Sequence, residues 1–351
     1  MEFVSCFSGR QRQTYCKRRD SLEKVVIGLY DKTVYSERFA EYFCNNKNNC
    51  IDFRIFTVFD KISEFVKKGR LDVLLLGQEY VDEIKNTKEI GKIIVLSEGN
   101  YVMEGEKYPV VFKYQSVENI INEVLENIAD DEKIRLEENN KNPVKINTEL
   151  IGVYSSDSVN LALKYGVDLA IKTAKVKKTL LVCLDQLNGL DGALRLENNM
   201  CEQFFSYEGE NMTYETSYVR GMSEVIYYLN KKGSKLALKL QSIICHRGGV
   251  DCIYSVEDYR DLKYFDIEGV EEFISILSGQ MEYETIIFVI GYLNETFIEL
   301  MQRCDKLYFS AVQDEIDRQR FSSFEKTLMR DGLAGSLDNI MFYASEKSVI
   351  D

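Results

Sequence analysis

Apolar and polar positions along the chain form two series of strand-length apolar runs separated by helix-patterned stretches. The first series starts at Val25-Val26-Ile27-Gly28-Leu29-Tyr30, passes through a helical pattern from Ser36 to Cys44, and returns to a strand from Ile51 to Phe56. Further runs follow at Asp72 to Leu76, Lys92 to Leu96 and Val110 to Tyr114. Parallel neighbours can be joined only by a crossover, usually a helix, so this alternation predicts an α/β sheet covered on both faces. Five strands between Val25 and Tyr114 suit a flavodoxin-like, doubly wound three-layer domain.

The second series begins with Leu150-Ile151-Gly152-Val153-Tyr154 and continues through Leu180 to Leu184, Leu236 to Leu240, Ile286 to Ile290 and Lys306 to Phe309, all read as strands. Helical patterns start near Val159 and cover Ser223 to Leu229 and Glu315 to Leu328, which predicts a second doubly wound domain. Between the series the composition shifts to Asp130-Asp131-Glu132, Glu137-Glu138-Asn139-Asn140 and Asn142-Pro143. The residue before a proline is pushed away from helix, so a helix leaving the first domain should stop near Lys141. The expected division is a basic flexible tail over 1–24, a first domain over 25–128, a charged linker over 129–148 and a second domain over 149–351.

Composition sharpens this picture. At 351 residues the chain is long enough for two cores, and 45% hydrophobic with 29% charged residues is the balance of a folded globular protein. The longest apolar runs, such as Val73 to Leu76 and Ile286 to Ile290, fall far short of the roughly 18 residues a membrane span needs. The first residues carry Arg10, Arg12, Lys17, Arg18 and Arg19 without a long apolar core, so no secretory signal is expected and the protein is placed in the cytoplasm. Nine cysteines without a CxxC pair, in surroundings such as Leu181-Val182-Cys183-Leu184, read as reduced core residues. A net charge of −13 argues against specific nucleic-acid binding, the basic tail being a local exception.

The first domain carries a specific resemblance. Val111-Phe112-Lys113-Tyr114-Gln115-Ser116 followed by a helix resembles the fifth strand of a response-regulator receiver, where the lysine contacts a phosphorylated aspartate. The resemblance places Lys113 in that role, Ser97 at the family's switch position, and Asp31 as one acid where receivers usually supply two for Mg²⁺. The acceptor position at the end of Asp72-Val73-Leu74-Leu75-Leu76 falls on Gly77, which cannot be phosphorylated, so the domain is expected to be a pseudo-receiver. Asp31, Ser97 and Lys113 would form a polar cluster at the carboxyl edge of the sheet; the plainer reading is a Lys113–Asp31 ion pair.

The second domain resembles the deviant P-loop ATPases of the MinD/ParA class, which open with a strand, a glycine-rich loop carrying two lysines, and a helix. Glycines let backbone N–H groups curl round phosphates, and a lysine neutralises their charge. Here the strand from Glu149 to Tyr154 leads into Ser155-Ser156-Asp157-Ser158, with neither glycine nor lysine, before a helix near Val159. Asp157 is expected to cap that helix itself. Asp185, after the next strand, matches an acid that could reach Mg²⁺. The strand Tyr283-Glu284-Thr285-Ile286-Ile287-Phe288-Val289-Ile290-Gly291 puts Val289 where an acid near the γ-phosphate belongs. A degenerate nucleotide site is implied, lined by Ser155, Ser156, Asp157, Ser158 and Asp185, with no catalytic residue and no cofactor.

A receiver-like domain followed by a MinD/ParA-like ATPase resembles the TadZ/CpaE proteins of Flp/Tad pilus assembly, across nearly all of residues 25 to 330. The resemblance implies a non-catalytic scaffold or localisation factor, a homodimer meeting pilus or secretion machinery, placed at the cell pole or the inner face of the membrane through its partners. The alternative is an ATP-Mg²⁺ binding switch with a rebuilt site using Lys164, Asp185 and Arg318; a third reading is a sensor binding a small anion at Asp31, Ser97 and Lys113. His246, the single histidine, lies beside Cys245 and six residues from Cys252, a spacing too open for a paired zinc site, and reads as a loop residue before the Gly248-Gly249 turn. The 22 tyrosines are read mainly as core, and the tail from Ser336 to Asp351 lacks a basic amphipathic membrane-targeting helix.

Overall fold

A computed structural model describes residues 24–33, 35–45, 51–83, 89–99, 108–129, 131, 147–197, 220–232, 235–330 and 339–343. The chain divides into two compact units, Met1–Pro143 and Val144–Asp351. Residues 1–23 of the expected tail, most of the linker over 129–148 and the helix stop near Lys141 lie outside the described residues.

In the first unit the strands are β1 (Val25–Tyr30), β2 (Ile51–Phe56), β3 (Leu71–Gly77), β4 (Ile90–Ser97) and β5 (Val110–Phe112). The helices are α1 (Tyr35–Asn45), α2 (Phe59–Val66) and α3 (Val117–Ala129), with a short 3₁₀ segment at Gln78–Glu83. All strand pairs are parallel, in the order β2-β1-β3-β4-β5. The chain steps outward from β1 to β2 and then back past β1 to β3. Right-handed crossovers in opposite directions put α1 and α2 on opposite faces, and α3 returns to pack beside α1. On the α2 face, Ile62 packs with Tyr30, Phe56, Leu74 and Leu76. Every residue of β3 is buried, as expected of a strand between two helical layers. Its one acid, Asp72, is satisfied by accepting from the Val26 amide at 2.8 Å.

The second unit contains β6 (Glu149–Tyr154), α4 (Val159–Ala174), β7 (Thr179–Leu184), α5 (Leu190–Glu197), α6 (Met222–Lys231), α7 (Leu236–Ile243), β8 (Cys245–Arg247) and β9 (Val250–Ile253). It continues with α8 (Ile267–Ser275), β10 (Thr285–Ile290), α9 (Glu295–Arg303), β11 (Lys306–Ser310), α10 (Glu315–Arg330) and β12 (Ile340–Tyr343). The sheet order is β12-β11-β6-β10-β7-β9-β8, parallel except for β8 against β9. Alternate strand residues feed two cores. Leu180, Val182, Ile286 and Phe288 meet helices α6 to α10 on one face, while Leu181, Cys183, Ile287 and Val289 meet α4 and α5 on the other. β7 and β10 are buried along their whole length, which explains their unbroken apolar text.

One expected strand is a helix. Leu236 to Leu240 belongs to α7, and the strand beside β7 is β9, reached through the short antiparallel β8. Leu236, Leu238 and Leu240 alternate as a strand would, yet Ala237, Leu238, Lys239, Leu240, Ser242 and Ile243 are all buried, so the helix shows no polar face to reveal its period. Lys239 is tolerated there with its ammonium 4.9 Å from the Tyr228 ring centroid. β8 and β9 join at Gly248-Gly249, whose φ angles of 58° and 82° are the left-handed pair a tight two-residue hairpin requires. Among the described residues no helix is long and apolar enough to cross a membrane.

Candidate functional site

Ligands of open parallel sheets bind outside the carboxyl ends of the strands. In the second unit β6 is flanked by β10 and β11, and β10 in turn by β7, so the segments after β6, β7 and β10 share this edge. The turn after β6 is closed by its own first residue. Ser155 is buried, and its Oγ accepts from the Asp157 amide at 3.2 Å and the Ser158 amide at 3.1 Å. Ser158 occupies the N-cap of α4 in extended conformation without a side-chain cap bond.

The expectation that Asp157 caps α4 is therefore corrected. Ser155 takes those amides because its hydroxyl reaches two and three residues forward in a tight turn. The Asp157 carboxylate lies instead 3.6 Å from the Arg320 guanidinium of α10, which also donates to the Ser156 carbonyl at 3.0 Å. From β12, the Tyr343 hydroxyl donates to the Tyr154 carbonyl at 3.3 Å and also meets the Ser155 hydroxyl; burial raises its pKa. The turn is thus tied to two elements from the far end of the chain. Neither Arg320 nor Tyr343 was singled out from the sequence, because nothing local marks a contact across more than 160 residues.

Asp185 follows β7 and folds back on its own turn, Oδ1 accepting from the Gln186 amide at 2.6 Å. It lies against Gly291, after β10, where an added Cβ would stand 2.3 Å from Oδ1; only glycine leaves the carboxylate this space. Burial raises the Asp185 pKa, partly offset by hydrogen bonds from the Gln186 and Leu187 amides. Beside it is a pocket lined by Val159, Leu163, Cys183, Leu190 and Val289, with room for about one water molecule. The two cations of the rebuilt-site reading do not converge here: Lys164 is exposed on α4, and Arg318 is exposed and pairs with Glu315 at 2.6 Å.

His246 is bound through Nδ1 to Asp251 at 2.8 Å, and Asp251 accepts from the Tyr283 hydroxyl at 2.8 Å. Cys245 and Cys252 are buried in the core beneath the hairpin, and among the described residues no group of three His, Cys, Asp or Glu side chains could hold a metal.

In the first unit, Asp31, Gly77, Ser97 and Lys113 all lie at the carboxyl edge, since β1, β3, β4 and β5 end there. Asp31 is fully buried; its Oδ1 accepts from the Thr33 amide at 2.6 Å and the Thr33 hydroxyl at 2.5 Å. Lys113 is buried with its Nζ 3.2 Å from Glu98, 3.7 Å from Glu79 and 4.0 Å from Asp31, and 4.9 Å from the Tyr35 ring centroid. Burial pulls the Lys113 pKa down, but the hydrogen bond to Glu98 and the charges of Glu79 and Asp31 outweigh it and the net shift is upward. Ser97 turns its hydroxyl away from this cluster, accepting from the Gly99 amide at 3.3 Å and facing Gln78 Oε1 at 3.5 Å. The lysine therefore has three carboxylate neighbours rather than the single Asp31 of the ion-pair reading, and Ser97 reaches it only through its backbone carbonyl, which accepts from the Lys113 amide at 2.7 Å.

The Glu79 carboxylate lies over Gly77. A Cβ on Gly77 would stand 2.6 Å from Glu79 Oε2, so a side chain at residue 77 would displace the partly exposed end of the Glu79 side chain. Glu79 and Glu98 are not singled out from the sequence, because each meets Lys113 only through contacts between segments that follow different strands.

No family model and no curated protein matches the chain. Among solved structures the chain is similar to a ParA family ATPase from Chlorobium tepidum, at 13% identity over 56% of this chain and 73% of that one, with a TM-score of 0.41. It is also similar to the cell division ATPase MinD of Pyrococcus furiosus, at 15% identity over 55% of this chain and 70% of that one, with a TM-score of 0.35.

Proposed function

We propose that this chain is a non-catalytic scaffold or localisation factor, a pseudo-receiver joined to a MinD/ParA-like domain that has given up its nucleotide. The reading rests on the turn after β6. A phosphate cradle needs free backbone N–H groups, a cation and room. The Asp157 and Ser158 amides are engaged by Ser155, Asp157 brings a carboxylate to the turn, and Arg320 holds the Ser156 carbonyl. Asp185 adds a second negative group beside a pocket of one-water size. A polyphosphate placed there would meet two carboxylates. ATP and Mg²⁺ do not fit these groups, and no hydrolytic step is assigned.

In this proposal the value of the architecture lies in its surfaces. The chain acts as a homodimer that meets protein partners of a pilus or secretion machine, in the manner the TadZ/CpaE resemblance implies. It reaches the cell pole or the membrane through them. The first unit offers no acceptor at Gly77 and takes no phosphoryl group.

Calorimetric titration of ATP and of ADP with Mg²⁺ into the full-length protein, with light scattering in each state, tests the proposal. The expected result is no heat at millimolar nucleotide and a dimer mass that does not change. Saturable binding, with or without a change of mass, would overturn it in favour of a rebuilt nucleotide switch.

A further inference from the structure

Several loops at the carboxyl edge of the first sheet converge on one buried ammonium. Glu79 comes from the segment after β3, Glu98 from the segment after β4, Asp31 from the turn after β1, and Lys113 directly follows β5. The three acids differ. Asp31 is fully buried, with Oδ2 accepting no hydrogen bond, so its position is fixed by the fold and its second oxygen depends on the field of Lys113. Glu98 makes the hydrogen bond to Lys113, and that bond, with one from Tyr114, lowers its pKa. Glu79 is partly exposed and does not make the shortest contact, yet its carboxylate supplies the atoms nearest to a Cβ at Gly77.

We propose that Glu79 is an internal latch, whose carboxylate occupies the space above Gly77 and engages Lys113, thereby fixing the segments after β3, β4 and β5 in a single arrangement without any added group. The latch can open because Glu79 reaches solvent, and opening exposes the Gly77 backbone and leaves Lys113 to Glu98 and Asp31. A residue with a side chain at position 77 would keep it open, since its Cβ and the Glu79 carboxylate claim one volume. The device is built from contacts inside the first unit alone, so it holds whether or not the second unit binds nucleotide.

Two routes open the latch, and they should not add. In the full-length protein, Glu79→Ala removes the carboxylate, while Gly77→Ala expels it by steric overlap. Amide hydrogen exchange reads the outcome at Gly99, whose N–H is held by Ser97 Oγ, and at Lys113, whose N–H is held by the Ser97 carbonyl. Each single variant is expected to speed exchange at these amides by about threefold to tenfold, the scale of a lost partly buried ion pair, while β7 in the second unit keeps its rates. The double variant should match the single variants, because the second change finds the latch already open. Glu79→Gln, which keeps shape and removes charge, should give a smaller change of the same sign. Unchanged exchange in Gly77→Ala, or effects that multiply in the double variant, would overturn the proposal.

Discussion

Ser155 and Arg320 hold the same turn by different means, and their energetics separate accordingly. Ser155 is buried and satisfies two amides, so Ser155→Ala leaves both without a partner and should cost about 1–2 kcal/mol in urea denaturation. Arg320 is half exposed and meets an exposed carboxylate, so Arg320→Ala should cost less than about 1 kcal/mol. A reversed order would mean that the guanidinium, and not the hydroxyl, shapes the turn. Asp185 offers a test with a pH signature. Its folded pKa lies above the unfolded value, so folding is penalised once the unfolded chain loses this proton, and the penalty is complete above the folded pKa. Asp185→Asn keeps the acceptor oxygen and removes the charge. It should therefore stabilise the protein at pH 7, with the gain vanishing below the normal carboxylate range. Thermal melts at pH 7 and pH 3 compare the two.

At the scale of elements, α7 is the instructive case. Leu240 is fully buried in the core formed by α6 to α10, and Leu240→Ala should cost about 2–5 kcal/mol in equilibrium unfolding. A strand in that place would have put Leu240 and Lys239 on opposite faces, whereas the helix buries both. Strands with unbroken apolar text were legible in the sequence because burial on both faces leaves no polar position; β1 coincides with its predicted range for that reason. α7 was not, because a helix packed nearly all round also loses its polar face, and local alternation then imitates a strand. β12 was missed for a different reason. Its exposed Met341 and Phe342 look like scattered apolar residues, and only pairing with β11 makes the segment a strand.

At the scale of the molecule, the parts of the candidate sites written in one short stretch of sequence were readable, and those assembled across the fold were not. The Ser155 to Ser158 turn and Gly77 stand out because a strand end without glycine and lysine, or without an aspartate, is a local fact. Glu79, Arg320 and Tyr343 acquire their roles only through contacts between distant elements. The net charge of −13 belongs to this scale too. It predicts that a labelled duplex DNA shows no anisotropy change with the full-length protein at about 150 mM salt, where counterion release would otherwise drive basic surfaces onto phosphate.

The place of β6 in its sheet sets a schedule for the growing chain. It is the first strand of its unit to leave the ribosome, yet it lies between β10 and β11, and the hydroxyl bonded to the Tyr154 carbonyl arrives with Tyr343, 189 residues later. At synthesis rates of about 5–20 residues per second, β6 waits roughly 7–27 s for the end of β10 with both hydrogen-bonding edges unmet. For that interval it is a bare apolar strand, the form most open to capture by a chaperone or by a neighbouring nascent chain. Slowing translation over the last strands should lower the soluble yield of this protein more than slowing it over the first.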